Sequence, residues 1–302
     1  MEKVINEIRR LAKERDAVIL AHYYVDGALQ DIADYVGDSF YLAKIAKQVK
    51  NRTIVFCGVT FMGESACILD PEKTVLMPDI DAVCPMALMV DEEEIAKMRK
   101  EYDDLAVVCY INSMAATKAL VDVCVTSSNA LDIVRKLPQK NIYFIPDQNL
   151  GSWIAAQVPE KNFIFGKGYC PIHHEIKPED VKRYKAKYPG AKVLVHPECP
   201  LEVSRMADYV GSTSGIIDYA TKSSDKEFII GTETGVLHKL KKQNPDKEFH
   251  FIDDRICEDM KKLTLQKVAD CLRNNEPKAY VPDDVRLKAQ KSLDEMLRLG
   301  AK

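Results

Sequence analysis

Three cysteines set the frame for this chain. Cys84, Cys170 and Cys257 lie 86 and 87 residues apart. Each follows a short apolar run: Thr74-Val75-Leu76-Met77, Asn162-Phe163-Ile164-Phe165 and Phe249-His250-Phe251-Ile252. A fixed period of this length is the mark of an internal repeat. Polar residues that close other apolar runs keep the same period. His22, Tyr110 and His196 are 88 and 86 residues apart, and so are Ser39, Ser127 and Thr213. A triplicated unit constrains the fold more tightly than composition does, because one small architecture must serve three times.

Within each unit, short apolar strands alternate with amphipathic helices. Strands are expected at 17–21, 53–57, 106–109, 142–145, 193–195 and 228–230, and helices at 3–14 and 92–102, with another opening at Pro178, a residue suited to a first turn. The helix that precedes the strand at Phe163 is placed around Trp153–Val158. This alternation predicts an α/β fold of three pseudo-symmetric repeats, each a small parallel sheet with helices on both faces. The expected boundaries are 1–87, 88–174 and 175–259, with a helical tail at 260–302 packing on the first repeat and broken at Pro277 and Pro282. Right-handed crossovers put every strand C-terminus on one edge of its sheet, where open α/β sheets bind ligands. The simplest assembly faces the three repeats to a common axis on which the cysteines meet.

The remaining composition serves to exclude. A net charge of −3 argues against a broad basic surface and hence a nucleic-acid partner. The apolar runs fall short of the ~20 residues that span a bilayer. The start, Met1-Glu2-Lys3-Val4-Ile5-Asn6-Glu7, is an amphipathic helix and lacks the apolar core of a signal peptide. A cytoplasmic protein with no membrane partner is the expectation. Nine cysteines are an odd number, which in a large chain without an export signal disfavours a disulfide framework. Packing, redox chemistry and metal binding are left.

Three converging thiolates suit a metal in two ways. Structural zinc wants a fourth protein ligand, for which His173 in Cys170-Pro171-Ile172-His173 is available. A [4Fe-4S] cluster takes one ligand per iron, so three cysteines leave one iron open as a Lewis acid. Buried structural thiols are the third reading. Of the other cysteines, Cys57, Cys109 and Cys124 lie in expected strands and Cys67 and Cys271 in expected helices, where a thiol is a small hydrophobe. Cys199 adjoins His196 and Glu198 as a bystander or a supporting group. His196-Pro197-Glu198 offers a base and an acid on one side of an extended segment, or an ordinary surface turn. Ser39, Ser127, Ser212 and Thr213 stand at helix starts, where a hydroxyl caps the helix, joins its N–H groups in binding an anion, or does both. Tyr24, Tyr110 and Asn112 are strand-end residues or ligand donors. The basic runs Lys239–Lys242 and Lys261-Lys262 read as solvated helix faces.

Ala21-His22-Tyr23-Tyr24, Gln30-Asp31-Ile32-Ala33-Asp34-Tyr35-Val36-Gly37-Asp38-Ser39, Phe61-Met62-Gly63-Glu64, Cys84-Pro85-Met86-Ala87 and Tyr110-Ile111-Asn112-Ser113 occur in that order. Pro146-Asp147-Gln148-Asn149-Leu150-Gly151, Cys170-Pro171-Ile172-His173, His196-Pro197-Glu198-Cys199-Pro200, Tyr209-Val210-Gly211-Ser212-Thr213 and Cys257 with Met260-Lys261-Lys262 follow. Over nearly its whole length the chain resembles the quinolinate synthases, iron–sulfur enzymes of de novo NAD biosynthesis. The resemblance implies three similar α/β domains around a central cluster. It implies condensation of iminoaspartate with dihydroxyacetone phosphate to quinolinate, phosphate and water, and functional coupling to an iminoaspartate-producing enzyme. It implies that Cys84, Cys170 and Cys257 hold a [4Fe-4S] cluster with one open iron. It places His22, Ser39, Tyr110, Ile111, Asn112, Ser127, His196, Pro197, Glu198, Ser212 and Thr213 around the substrates, and Glu198, Tyr24, His22, His173 and His196 in proton transfer. Two positions depart from the common pattern: Val25 stands where many members have Gln, and Ser214 where many have Gly. A catalytically silent cluster-binding sensor, which would use the same three cysteines without needing the polar strand ends, and a zinc-stabilised binding protein are the rival classes.

Overall fold

The computed structural model describes residues 1–301. Its twelve strands are β1 (Ala17–His22), β2 (Tyr35–Gly37), β3 (Thr53–Cys57), β4 (Thr74–Leu76), β5 (Leu105–Tyr110), β6 (Val123–Val125), β7 (Asn141–Ile145), β8 (Asn162–Phe165), β9 (Lys192–Val195), β10 (Tyr209–Val210), β11 (Glu227–Gly231) and β12 (Glu248–Phe251). They form three four-stranded sheets of one topology, β2-β1-β3-β4, β6-β5-β7-β8 and β10-β9-β11-β12. All three are parallel, with helices between successive strands. The α/β expectation and its threefold pattern are both present.

Burial follows from that connectivity. A parallel sheet covered by helices needs apolar residues on both of its faces. Every residue of β3 and of β5 is accordingly buried. Each buried Val, Leu, Ile or Phe contributes ~1.5–3 kcal/mol.

The repeat extends to individual hydrogen bonds. Asp34 donates its N–H to the Ile19 carbonyl at 2.9 Å, and its carboxylate accepts the Ile19 N–H at 2.8 Å. Asp208 does the same with Val193, at 2.8 and 2.9 Å. In both places a carboxylate ahead of the second strand closes the edge of the first.

The chain forms two compact units. One comprises Met1–Leu88, Ile111–Cys124 and Glu258–Lys302, and the other Met89–Tyr110 and Val125–Cys257. No helix among the described residues is long and apolar enough to cross a membrane. Several elements differ from expectation. The helix placed around Trp153–Val158 spans Gln148–Ala155, because Asp147 caps it by accepting the N–H groups of Asn149 and Leu150. Short helices at Ala115–Lys118 and Leu201–Ser204 are single turns, too brief to leave a periodic pattern.

Candidate active site

The cysteines sort themselves by burial. Cys84, Cys170 and Cys257 are half-buried, and the other six are buried. Burial pushes the Cys67 thiol up to about 12, with the nearby Glu64 charge adding to it, and Cys271 likewise to about 12, with Glu276 adding. It raises Cys57, Cys124 and Cys199 as well. Thiols so raised stay protonated and inert.

The three accessible cysteines share one local design. Each directly precedes a helical turn: Pro85–Leu88, Pro171–His174 and Glu258–Lys261. Each is preceded by the same backbone bond, in which the N–H of Thr60, Gln148 or Thr234 donates to the carbonyl two residues before the cysteine, at Ala82, Gly168 or Arg255 (2.8, 2.9 and 3.0 Å). Gly168 is required there, since a Cβ would stand 2.8 Å from the Pro146 carbonyl oxygen.

In the second unit, Glu198 is the hub of a buried network. Tyr110 donates its hydroxyl to Oε1 at 2.6 Å, and His173 Nδ1 lies 2.7 Å from Oε2. The same Nδ1 is 3.2 Å from the Cys170 thiol, while His173 Nε2 is 2.9 Å from Thr232 Oγ1. Burial alone would raise the Glu198 carboxyl. The imidazoles of His196 and His173, with hydrogen bonds from His173 and Tyr110, reverse the sign and hold it well below the usual carboxylate range. His196 accepts the Glu198 N–H on Nδ1 at 3.3 Å, and its Nε2 faces Ser127 Oγ at 3.2 Å. The rings of His173 and His196 stack at 4.8 Å. Pro197 is buried between its two neighbours in the turn.

Cys170, His173 and Glu198 bring three donor atoms within 4.8 Å. Two donors on one tetrahedral zinc at ~2.0–2.2 Å stand ~3.4 Å apart. The 2.7 Å between His173 and Glu198 is instead a hydrogen bond. This trio carries a proton more naturally than it carries zinc.

The first unit repeats the histidine turn. His22, buried at the end of β1, accepts the Tyr24 N–H on Nδ1 at 3.2 Å, and the two rings meet edge-on at 4.5 Å. Gln30 clamps the turn by donating to the carbonyls of Tyr23 and Val25, at 2.9 and 3.0 Å. Val25, one of the departures from the family pattern, is fully buried. Lys261 donates to the Tyr24 carbonyl at 2.7 Å, so it is tied to this strand end and is not the solvated face expected for it. The side-chain oxygen of Asn112 is shielded from water and has no hydrogen-bond partner among the described residues. Ser39 and Ile111 line one cleft with Phe61 and Met62.

The helix-start hydroxyls divide by role. Asp38 caps the helix Ser39–Gln48 by accepting the Tyr41 N–H, which leaves Ser39 at the first helical position. Ser212 caps Thr213–Lys222 by accepting the Gly215 N–H, which leaves Thr213 at the equivalent position and Ser214, the second departure, one place on. Asn129 Oδ1 accepts the Thr126 N–H at 2.7 Å in the turn before Ala130–Lys136, while Ser127 faces His196. Ser39, Ser127 and Thr213 are therefore not the caps.

Two members of this network were not among the expected site residues. Thr232 meets His173, and Asn149 donates to the Glu198 carbonyl and lies beside His174 Nδ1, each at 3.0 Å. Asn149 sits in a run already singled out, whereas Thr232 carries no signal beyond its place at the end of β11.

The chain matches the NadA quinolinate synthetase A protein family over residues 6–298. It belongs to that family. The quinolinate synthase of Fusobacterium nucleatum is 54% identical over 295 residues, covering 98% of this chain and 99% of the relative. That of Clostridioides difficile is 53% identical over 295 residues (97% and 97%), and that of Caldicellulosiruptor bescii 52% over 301 (99% and 99%). The protein is thus an enzyme of the quinolinate synthase type, belonging to NAD biosynthesis. Quinolinate synthases act on small molecules, and the three half-buried thiols of this chain, set apart from six buried ones, suit metal binding.

Proposed function

We propose that the enzyme condenses iminoaspartate with dihydroxyacetone phosphate, releasing quinolinate, phosphate and water, and that Cys84, Cys170 and Cys257 hold a [4Fe-4S] cluster with one iron open. The reading takes the chain as three repeats at 1–87, 88–174 and 175–259, with one cysteine ligand each. The observation that carries it is the Glu198 network. One buried carboxylate is joined to Tyr110 and, through His173, to the thiol of Cys170. A catalytically silent sensor has no use for that arrangement.

The donor set fits the cofactor. Three thiols, each preceded by the same backbone hydrogen bond, are half-buried, and six others are buried. When bound, the cluster supplies a Lewis acid for a substrate oxygen and carries no net electron.

The protein groups supply binding and proton transfer. Both substrates are anionic, so they call for N–H and O–H donors. Ser39 and Thr213 stand at the first positions of their helices, where a hydroxyl beside the helix terminus suits a phosphate or carboxylate. Ser127 and His196 add a hydroxyl and an imidazole 3.2 Å apart. Asn112 presents a buried side-chain oxygen without a protein partner, an acceptor open to a ligand donor. Glu198 takes a proton from the carbon or nitrogen that becomes nucleophilic and returns it to a departing hydroxyl, relayed through Tyr110 and His173. His22 and Tyr24 serve the first unit in the same way, the phenol in place of the carboxylate. The iminoaspartate is short-lived in water, so an enzyme producing it is the expected functional partner.

Turnover of the two substrates by anaerobically purified protein tests the reaction, and iron and sulfide analysis tests the cofactor. Replacing Cys84, Cys170 or Cys257 with Ser should abolish the intact cluster and the activity. Replacing Cys57, Cys67 or Cys271 should cost stability only. A full iron complement and undiminished turnover in Cys84→Ser would sink the three-cysteine assignment. Cluster without turnover in the unaltered protein would favour the sensor.

A further inference from the structure

Val59, Asp147 and Glu233 occupy one place in the repeat, two residues past the ends of β3, β7 and β11. The two carboxylates there are fully buried and divide their oxygens in the same manner. Asp147 accepts the N–H groups of Asn149 and Leu150 on Oδ1, at 2.9 and 2.8 Å, and the N–H of Cys170 on Oδ2, at 3.2 Å. Glu233 accepts the Gly235 N–H on Oε2 at 2.6 Å and the Cys257 N–H on Oε1 at 3.2 Å. One oxygen thus ties the carboxylate to its own helix start, and the other reaches over to a cysteine. The first unit lacks the device. Val59 has no acceptor to offer, and the neighbouring Thr60 hydroxyl donates to the carbonyls of Ile80 and Ala82, both at 3.0 Å.

We infer that Asp147 and Glu233 are positioning residues that aim the Cys170 and Cys257 thiols at the metal site, and that Cys84 is held by a different device. The inference rests on the cluster reading above and goes beyond it, because it makes the three ligands inequivalent. A carboxylate fixed at both oxygens pins the cysteine backbone, and with it the direction of the Cα–Cβ bond. It has a second consequence. The cysteine N–H is spent on a carboxylate and so is withheld from the cysteine sulfur, where N–H donors raise a cluster's reduction potential. A cluster held in this way is harder to reduce, which suits one serving as a Lewis acid.

The test uses anaerobic holoenzyme of Asp147→Asn and Glu233→Gln, made separately. An amide turns one acceptor into a donor facing an N–H, with little change in size. Both variants should lose iron to a chelator about 10-fold faster or more, the usual scale for removing such a support. Both should also show a raised cluster potential. Asp147→Glu, which installs the residue the third repeat uses, should restore the original rate and potential. Unchanged chelation rate and potential in both amide variants would overturn the inference, as would a fall in the thermal stability of cluster-free protein with neither property moved. Failure of the cluster reading is a separate result: unaltered protein that takes up no iron and sulfide refutes that reading before any variant is compared.

Discussion

The strand ends His22-Tyr23-Tyr24 and His196-Pro197-Glu198 are one turn built twice with different chemistry. In each, a buried histidine closes the first strand of a sheet, and its Nδ1 accepts the N–H two residues on, at 3.2 and 3.3 Å. The bond occupies Nδ1 and leaves Nε2 to other partners, which for His196 include Ser127 Oγ at 3.2 Å. The third residue then diverges. Tyr24 packs edge-on against His22 and is anchored through its backbone by Lys261. Glu198 is gripped by its side chain, by Tyr110 and His173. A repeat can therefore keep its geometry while exchanging a phenol for a carboxylate, and the copy with the carboxylate is the one the proposed proton transfer uses.

The sharpest break of this comparison is Glu198→Gln. It should lower turnover about 10²-fold or more, the scale of lost acid–base catalysis, with fold and metal content kept. Near-normal turnover would make the two strand ends equivalent and Glu198 structural. Tyr24→Phe removes one hydroxyl and should cost about 10-fold, the worth of one hydrogen bond to a polar partner. A loss as large as that of Glu198→Gln would move the proton chemistry to the first unit.

Stability against pH separates the two ends differently. Glu198 titrates below the ordinary value of 4.5 in the folded protein, so its charged form stabilises the fold at pH above that value. That contribution fades as the pH falls below 4.5 toward the depressed folded value. Asp147 opposes it, since burial and the Glu198 charge push its carboxyl up. Chemical denaturation of cluster-free protein should show unaltered protein and Glu198→Gln differing most near neutrality and converging in acid. Tyr24→Phe changes no acidic group and should run parallel to the unaltered protein through that range. The smallest effect belongs to Lys261→Met. Loss of its bond to the Tyr24 carbonyl should destabilise the fold by about 0.5–1.5 kcal/mol, read by thermal unfolding.

The sequence carried much of this because periodicity survives in one dimension. Parallel strands buried on both faces must be apolar runs, and helices that cover them must be amphipathic, so the α/β pattern could be read directly. The 86- and 87-residue spacing picked three cysteines out of nine, and burial divides the nine in the same way. The start of the helix Gln148–Ala155 is not legible in the sequence because Asp147, its cap, reads locally as one more polar residue of a strand end. For Ser39 and Thr213 the sequence does not separate capping from binding, since it does not say which of two adjacent polar residues turns back to the helix.

By itself the sequence determined the repeat, the strand–helix alternation and the three cysteines that burial also sets apart. These are set by local hydrophobic pattern and by spacing along the chain. Only the tertiary structure decided that Tyr110, 88 residues before Glu198 in the chain, is its hydrogen-bond donor. Only it joined Thr232 to His173, gave Asp147 and Glu233 the amides of two cysteines, and turned Lys261 onto a strand end. The reason is physical: a buried polar group must find a partner wherever the fold brings one within about 3 Å, and distance along the chain sets no limit on that search.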